Sequence, residues 1–480
     1  MGLALQFAGS LIASLNIFMK KDANTVHDGG ATRREFIKKS TLAAAAVASS
    51  ANLFKTPVYG QNQAPAPGSV VGANNRLVVA YIGVGPQGMA HVRTQKAGAA
   101  ANNIAQAAVC ELSTHRQDEA KAEIGANCAV FKDYEKLLER KDIDAVTIAT
   151  VDHWHCKTAI AAVEAGKHVY VEKPMTRYLG EGFDLYDAVK RTGKTLQVGS
   201  QGCSAAAWHK SAELIKAGAI GTPVWAQGYY CRNNPNGKAE WDYTIQPWCT
   251  AADVDWDKWQ LPVHNKTDFN ADAYFRWRKY YPYCAGLLGD LVPHRLLPLM
   301  VATGNPEFPT RVVCLGTQNV HSDAGITGSP PRDCPEQIEL LAEFPSGMTL
   351  VIVSSSVASR SPGFVIYGHH ASLEIGSSGE RVEVKPEKDF SDDVDLQTFD
   401  GLKPNEDIGA HEANWFDCIR NNKEPNAGIE LGIRAQTVIS LAEMSNRLNM
   451  MCLFDEKTRK ITTMDGKEVN AITYGTLPKS

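Results

Sequence analysis

The sequence predicts an α/β protein in two parts: a doubly wound parallel sheet over residues 76–202, then an α+β domain over residues 203–480 built on an open, predominantly antiparallel sheet. Two observations carry this. In the first part, strand-like apolar runs alternate with helix-period segments. In the second, runs such as "EQIELLAEFPSGMTLVIVSSS", "GFVIYGHHASLEIG" and "RVEVKPE" read as strands joined by tight turns.

The first part opens with an apolar run, Leu77 to Ile82, followed by Gly83, Gly85 and Gly88 in G-x-G-x-x-G spacing and by the helix-compatible "MAHVRTQKAG". A first glycine permits the tight turn, a second lets backbone approach a pyrophosphate, and a third packs helix on strand. The helix start then presents free N–H groups to the anion. A second strand pattern, "AQAAVCELS", follows and places Glu111 about twenty positions on, where a carboxylate can bind the adenosine ribose hydroxyls. That spacing favours NAD. Ser113, Thr114 and Arg116 stand close enough to hold a 2'-phosphate instead, so NADP stays open. Next come a helix from about Tyr134, a strand "AVTIAT", a helix from about His155 to Ala165 and a strand "HVYVEKP". Ligands of such sheets bind at the carboxyl ends of the strands. Thr150 to His155 and Glu172 to Pro174 lie at such ends, giving Thr150, His155, Glu172, Lys173 and Pro174, with Gln87 in the glycine turn and Gln201 after "LQVGS", as candidate cofactor contacts. The first part is thus expected to be a Rossmann dinucleotide-binding domain.

The order of G-x-G-x-x-G, "DIDAVTIAT", "DHWH", "AGKHVYVEKPM" and "LQVGSQ" resembles the glucose-fructose oxidoreductase and inositol dehydrogenase family, Gfo/Idh/MocA, over nearly all the chain from Arg76 onward. The resemblance implies that Lys173, in its E-K-P motif, lies beside the nicotinamide and the reacting hydroxyl, with Glu172 and Pro174 shaping the turn. It also implies an Asp and a His one helical turn apart, which "AGLLGDLVPHRLLPLM" supplies as Asp290 and His294. A carboxylate there can set the position of an imidazole whose pKa lies near neutrality. Removing hydride from an alcohol carbon requires a base for the hydroxyl proton and a cation beside the developing alkoxide. His294 is the candidate acid/base, Asp290 its orienter, and Lys173 the alkoxide stabiliser or proton relay. Such families commonly continue to a second Asp three residues on, and this chain has Leu297 there.

Six of the nine tryptophans fall within residues 225–283, interleaved with Asp, Asn and Arg. Ring faces with planar polar groups suit sugars. Trp241, Trp248, Trp277 and Arg278, with Lys173 and His294, are therefore candidate substrate contacts, and His411, at the start of a late helix, a candidate rim residue.

Composition excludes other classes. The chain has 480 residues, 44% hydrophobic and 21% charged, with a net charge of -4, which gives no basic footprint for nucleic acid. Its partner is expected to be small and neutral or mildly charged, and the aromatic segment and the family resemblance imply a carbohydrate. No Cys/His metal spacing occurs, so no metal is expected. A pair such as Cys231 with Cys249 or Cys284 is conceivable, but buried free thiols are the preferred reading of the eleven cysteines.

Before residue 76 the chain carries "TRREFIKKSTLAAAAVASSANLF", which resembles a twin-arginine (Tat) export signal. Residues 1–55 are read as that signal, with Met19 as an alternative start, and residues 56–75 as a linker. The resemblance implies export in the folded state by the Tat machinery, and hence a periplasmic or extracellular bacterial protein with no stable membrane span once mature. Free NAD is scarce there, so the cofactor should be tightly held and recycled on the protein. Two activities follow: an NAD(P)-dependent oxidoreductase acting on a sugar, glycoside or cyclitol hydroxyl, or a redox-neutral NAD-dependent glycosidase. Retention of the E-K-P lysine favours the first. The family's sheet face also implies a homodimer or homotetramer.

Overall fold

The computed structural model describes residues 75–233, 240–263, 266–320, 331–403 and 406–476. The export signal and linker expectations lie outside these residues.

The first sheet has six parallel strands: β1 (Leu77–Ile82), β2 (Ile104–Cys110), β3 (Ala129–Phe131), β4 (Ala145–Ile148), β5 (His168–Glu172) and β6 (Leu196–Gly199), ordered β3-β2-β1-β4-β5-β6. Between them run α1 (Pro86–Ala97), α2 (Thr114–Ile124), α3 (Tyr134–Leu138), α4 (Asp152–Glu164) and α5 (Leu179–Thr192). This is the Rossmann order, with its switch point between β1 and β4. Helix α4 begins at Asp152, earlier than its sequence period suggests, because the chain turns directly out of β4 with Val151 extended at the cap.

Beyond α6 (Ala206–Lys216) and β7 (Pro223–Cys231) the aromatic insert forms two short helices, α7 (Trp256–Trp259) and α8 (Ala271–Arg276). Then follow α9 (Leu287–Asp290), α10 (Pro293–Ala302), β8 (Arg311–Thr317), β9 (Gln337–Glu343), β10 (Thr349–Ser355), β11 (Phe364–Gly368), β12 (Ala371–Ile375), β13 (Val382–Pro386), β14 (Gln397–Phe399), α11 (Ile408–Asn421), α12 (Ile429–Leu448), β15 (Cys452–Asp455), β16 (Lys460–Thr462) and β17 (Glu468–Val469). The second sheet runs β14-β13-β12-β11-β7-β10-β9-β8-β15-β16-β17. Only its β7–β10 pairing is parallel; the rest is antiparallel. Its strands alternate buried and exposed side chains, as in the iBeBeBi pattern of β9, because one face packs on helices and the other does not.

Helices α10 and α12 share the core between the two sheets, with Leu296, Leu299, Val438 and Leu441 fully buried beside Val171 and Ile352. Helix α11 returns to the first sheet: Trp415 and Phe416 are buried against Val79, Tyr81 and Tyr170. The late helix thus covers one face of the parallel sheet, as a sheet buried on both faces requires. All eleven cysteines are free, and ten are buried. No helix among the described residues is long and apolar enough to cross a membrane.

Candidate functional site

The glycine turn is shaped by close approach. Gly83 has φ of +82°, and a Cβ there would lie 2.8 Å from the Ala149 carbonyl oxygen. A Cβ on Gly88 would lie 2.2 Å from the Gly83 oxygen, so α1 packs on the turn only because that position lacks a side chain. Pro86 opens α1, where its missing N–H costs nothing. Glu111 braces the turn from β2: Oε2 accepts the Val84 N–H at 2.9 Å, while Oε1 accepts those of Leu112 and Ser113 at 2.7 and 3.0 Å.

A cavity of 1070 Å³ opens over this turn, lined by Gly83, Gly85, Glu111, Thr150, Trp248 and Arg278 among others. It exceeds the ~1,000 Å³ upper range of drug-sized sites, so there is room for a dinucleotide. The side-chain-free cradle at Gly83 and Gly88 and the carboxylate at the end of β2 fit NAD.

At the end of β5, Lys173 Nζ donates to the Asp290 main-chain oxygen at 2.8 Å and to its Oδ1 at 2.7 Å. Trp241 Nε1 donates to Asp290 Oδ2 at 2.6 Å. Arg278 Nε lies 3.0 Å from Oδ1 as an ion pair, with its N–H off line for a hydrogen bond. Burial pushes the Asp290 pKa up, but the charges of Arg278 and Lys173 and the lysine hydrogen bond outweigh it and hold the carboxyl well below its usual range. Burial opposes a charged Lys173, and Asp290 overcomes it, so the ammonium is retained.

The expected orienting role of Asp290 differs from what is seen. Its carboxylate is taken by Lys173, Trp241 and Arg278, and no hydrogen bond joins it to His294. Instead His294 Nδ1 is buried without a hydrogen-bond partner, 4.0 Å from Glu406 Oε1. Burial first, then the Lys173 charge, depresses the His294 pKa to about 3, so the imidazole is neutral at physiological pH. Leu297 is buried in the core on the same helix.

The remaining candidates separate into ligand-facing and framework groups. Thr150, Gln87, Trp277 and Arg278 line the cavity. Gln87 also donates to Glu172 Oε1 at 2.9 Å. His155 has Nδ1 at 2.7 Å from the Pro174 carbonyl and Nε2 at 3.3 Å from that of Thr150, so it ties two strand ends together and faces protein on both nitrogens. Gln201 is buried with Oε1 unpartnered. Trp248 stacks on His115 at 4.4 Å, beside the β2–α2 turn, and lines the cavity there. His411 is fully buried between Ser204 Oγ (2.6 Å) and the Val198 oxygen (2.9 Å), which corrects its expected place on the rim.

Several residues escaped the sequence. His91 is fully buried between two carboxylates, Glu172 at 2.8 Å and Glu412 at 2.7 Å. Burial lowers its pKa, but hydrogen bonds to both glutamates raise it to about 9; Glu172 falls to about 2 as His91 overcomes its own burial. Glu412 is 321 residues from His91, so no spacing signals the pair. Asp152, buried at the start of α4, keeps one oxygen unpartnered; the "DHWH" motif holds it without distinguishing it.

Residues 77–200 match the family described as GFO_IDH_MocA, oxidoreductase family, NAD-binding Rossmann fold. A "Glycosyl hydrolase family 109 protein 2" of Shewanella sp. (strain ANA-3) is 28% identical over 49% of this chain and 54% of its own length. The chain thus spans about half the length of that curated relative. A levoglucosan dehydrogenase of Pseudarthrobacter phenanthrenivorans is 35% identical over 23% of this chain and 29% of its own. Among solved structures, a levoglucosan dehydrogenase in complex with NADH and levoglucosan superposes with a TM-score of 0.60 at 20% identity, covering 78% of this chain and 98% of that one, a likeness of fold. With the glycine cradle and the E-K-P lysine in place, residues 77–200 carry the NAD-binding Rossmann fold of the Gfo/Idh/MocA oxidoreductase family.

Proposed function

We propose that this chain is an exported NAD-dependent oxidoreductase that acts on a hydroxyl of a sugar, glycoside or cyclitol and keeps its cofactor bound through the cycle. The observation that carries this reading is the convergence of Lys173 and Arg278 on Asp290, near neutral His294, with Arg278 also lining the dinucleotide cavity. NAD, when bound, supplies a hydride acceptor there. The Lys173 ammonium spends two of its three N–H groups on Asp290, leaving one for a substrate oxygen. That donor, with Arg278 behind it, stabilises alkoxide charge in a site shielded from water. Neutral His294 takes the hydroxyl proton at Nε2, for which no hydrogen bond is seen among the described residues. Asp290 holds the lysine charged and in place.

The aromatic insert supports a retained cofactor. Tyr243, Trp248, Trp259, Tyr274 and Phe275 all line the cavity from this segment, so the cleft is roofed by the second part of the chain. Bound dinucleotide would thus make contacts with both parts of the chain. The twin-arginine-like segment supports export, and recycling on the protein follows from the scarcity of free NAD outside the cytoplasm.

The likeness to a glycosyl hydrolase family 109 protein favours a second reading, redox-neutral glycoside cleavage. There, oxidation at C3 acidifies the C2 hydrogen, elimination expels the C1 substituent, water adds and the hydride returns to C3. Purified mature protein offered aryl glycosides distinguishes the two. Reduced cofactor that persists until a second carbonyl substrate is added supports the oxidoreductase, whereas aglycone release without it supports the glycosidase. Absence of nicotinamide from the dialysed protein would reject the retained cofactor.

The outer face of the second sheet supports self-association. Leu315 and Leu341 are 64% and 43% exposed, and Trp225 stacks on Tyr367 at 4.1 Å on neighbouring strands. A second copy of this chain is the proposed occupant.

A further inference from the structure

We propose that Asp253, from the aromatic insert, selects NAD against NADP by filling this chain's own 2'-phosphate position with a carboxylate. The inference rests on the dinucleotide reading of the cavity.

A 2'-phosphate binds where the β2–α2 turn and the first N–H groups of the following helix offer donors, usually with an Arg nearby. In this chain those donors are already used. Thr114 N–H donates to the Asp253 main-chain oxygen at 3.2 Å, and His115 N–H to Asp253 Oδ1 at 2.8 Å. Arg116 N–H donates to Ser113 Oγ at 3.3 Å and Gln117 N–H to the Ser113 oxygen at 3.0 Å, completing the first turn of α2. Ser113 Oγ in turn donates its only proton to Asp253 Oδ2 at 2.5 Å. The helix dipole that would attract a phosphate is therefore answered by an internal anion.

The carboxylate is fixed there by backbone. Ser113 and Val254 form an antiparallel bridge, and Asp255 N–H donates to the Leu112 oxygen at 3.1 Å. On the other side of the same two residues, Glu111 accepts the N–H groups of Leu112 and Ser113. Two carboxylates thus flank the turn. A phosphomonoester, with close to two negative charges, would have to enter between them.

Arg116, the cation the sequence offers for a 2'-phosphate, is turned elsewhere. Its guanidinium lies 4.7 Å from the Tyr274 ring centroid, and Nη1 comes within 3.1 Å of a Cβ built on Gly85. It faces the glycine turn, where a pyrophosphate belongs. The insert that roofs the cleft therefore also reads the adenosine end of the cofactor, a role nothing in the spacing of the first part could reveal.

The test is calorimetric titration of cofactor-stripped protein with NAD+ and NADP+ separately, for the unaltered chain, Asp253→Ala and Asp253→Asn. Unaltered protein is expected to bind NAD+ at least ~100-fold more tightly than NADP+. Asp253→Ala, which frees Ser113 Oγ and the His115 N–H, should reduce that ratio by about tenfold or more, mainly through tighter NADP+. Asp253→Asn keeps the side-chain shape and removes the charge, so it should shift the ratio the same way and serves should the alanine variant fail to fold. Equal affinities in the unaltered protein, or an unchanged ratio in a variant that melts like it, would overturn the proposal and leave the dinucleotide site standing. If neither dinucleotide binds the folded protein, the cofactor reading falls as well.

Discussion

Lys173 grips Asp290 twice, through the main-chain oxygen at 2.8 Å and the carboxylate at 2.7 Å, although the two are 117 residues apart. One contact would hold the charge; two also fix the direction of the ammonium. Lys173→Met should therefore lower kcat by a factor on the order of 10³, since it removes the donor aimed at the alkoxide. Cofactor binding should be little altered, because Lys173 does not brace the glycine turn. Single-turnover absorbance of the reduced nicotinamide, together with titration of the cofactor, measures both. A variant with unaltered kcat would exclude Lys173 from the chemistry.

Gly88→Ala tests the cradle. Its methyl would meet the Gly83 oxygen at 2.2 Å, a contact neither backbone segment can relieve without moving α1 from β1. Purified variant should carry no nicotinamide, and its folded state should be weakened by roughly 1–3 kcal/mol, the usual cost of overpacking. Denaturant melts beside cofactor release by acid precipitation report the two effects separately.

What the sequence revealed and what it hid have one physical cause. The glycine turn, Glu111 and the E-K-P strand end are local: each owes its role to residues within a few positions, and spacing exposes them. Lys173 to Asp290, Arg278 to Asp290 and Trp241 to Asp290 are contacts across the fold. Sequence could name all four residues as candidates but not that Lys173, Arg278 and Trp241 share the one Asp290 carboxylate. The i,i+4 spacing of Asp290 and His294 suggested a pair, yet helix α9 ends at Asp290 and α10 begins at Pro293, so no continuous helix carries both. The tryptophans were readable as a cluster, while their direction was not. Trp248 turned to His115 and Trp241 to Asp290 because tertiary partners, absent from the local pattern, decided each.

The outer sheet face yields a prediction about assembly. Leu341 pairs across β9 with Val313 on β8 and Val351 on β10, and with Leu315 it presents apolar surface where a monomer would gain from charge. Leu341→Lys should shift the mature protein from dimer or tetramer toward monomer in light scattering, at little cost to the fold, since this side chain is already 43% exposed. An unaltered mass would place any self-association on a different surface.

His91 gives the protein an alkaline limit. Its folded pKa of about 9 lies above the ordinary 6.5, so the protonated ring adds stability that is complete below about pH 6.5 and is lost as pH rises through 9. The size is on the order of 3 kcal/mol. His294, at about 3, behaves in the opposite sense: the folded protein resists its protonation, so stability falls as pH drops below 6.5 toward 3. Thermal melts should thus decline on both sides of a neutral plateau. His91→Gln should be less stable at pH 6, because Glu172 and Glu412 lose the charge between them. It should also lose most of the decline between pH 7 and 9.5, and a variant that keeps that decline would assign the alkaline limb to another group.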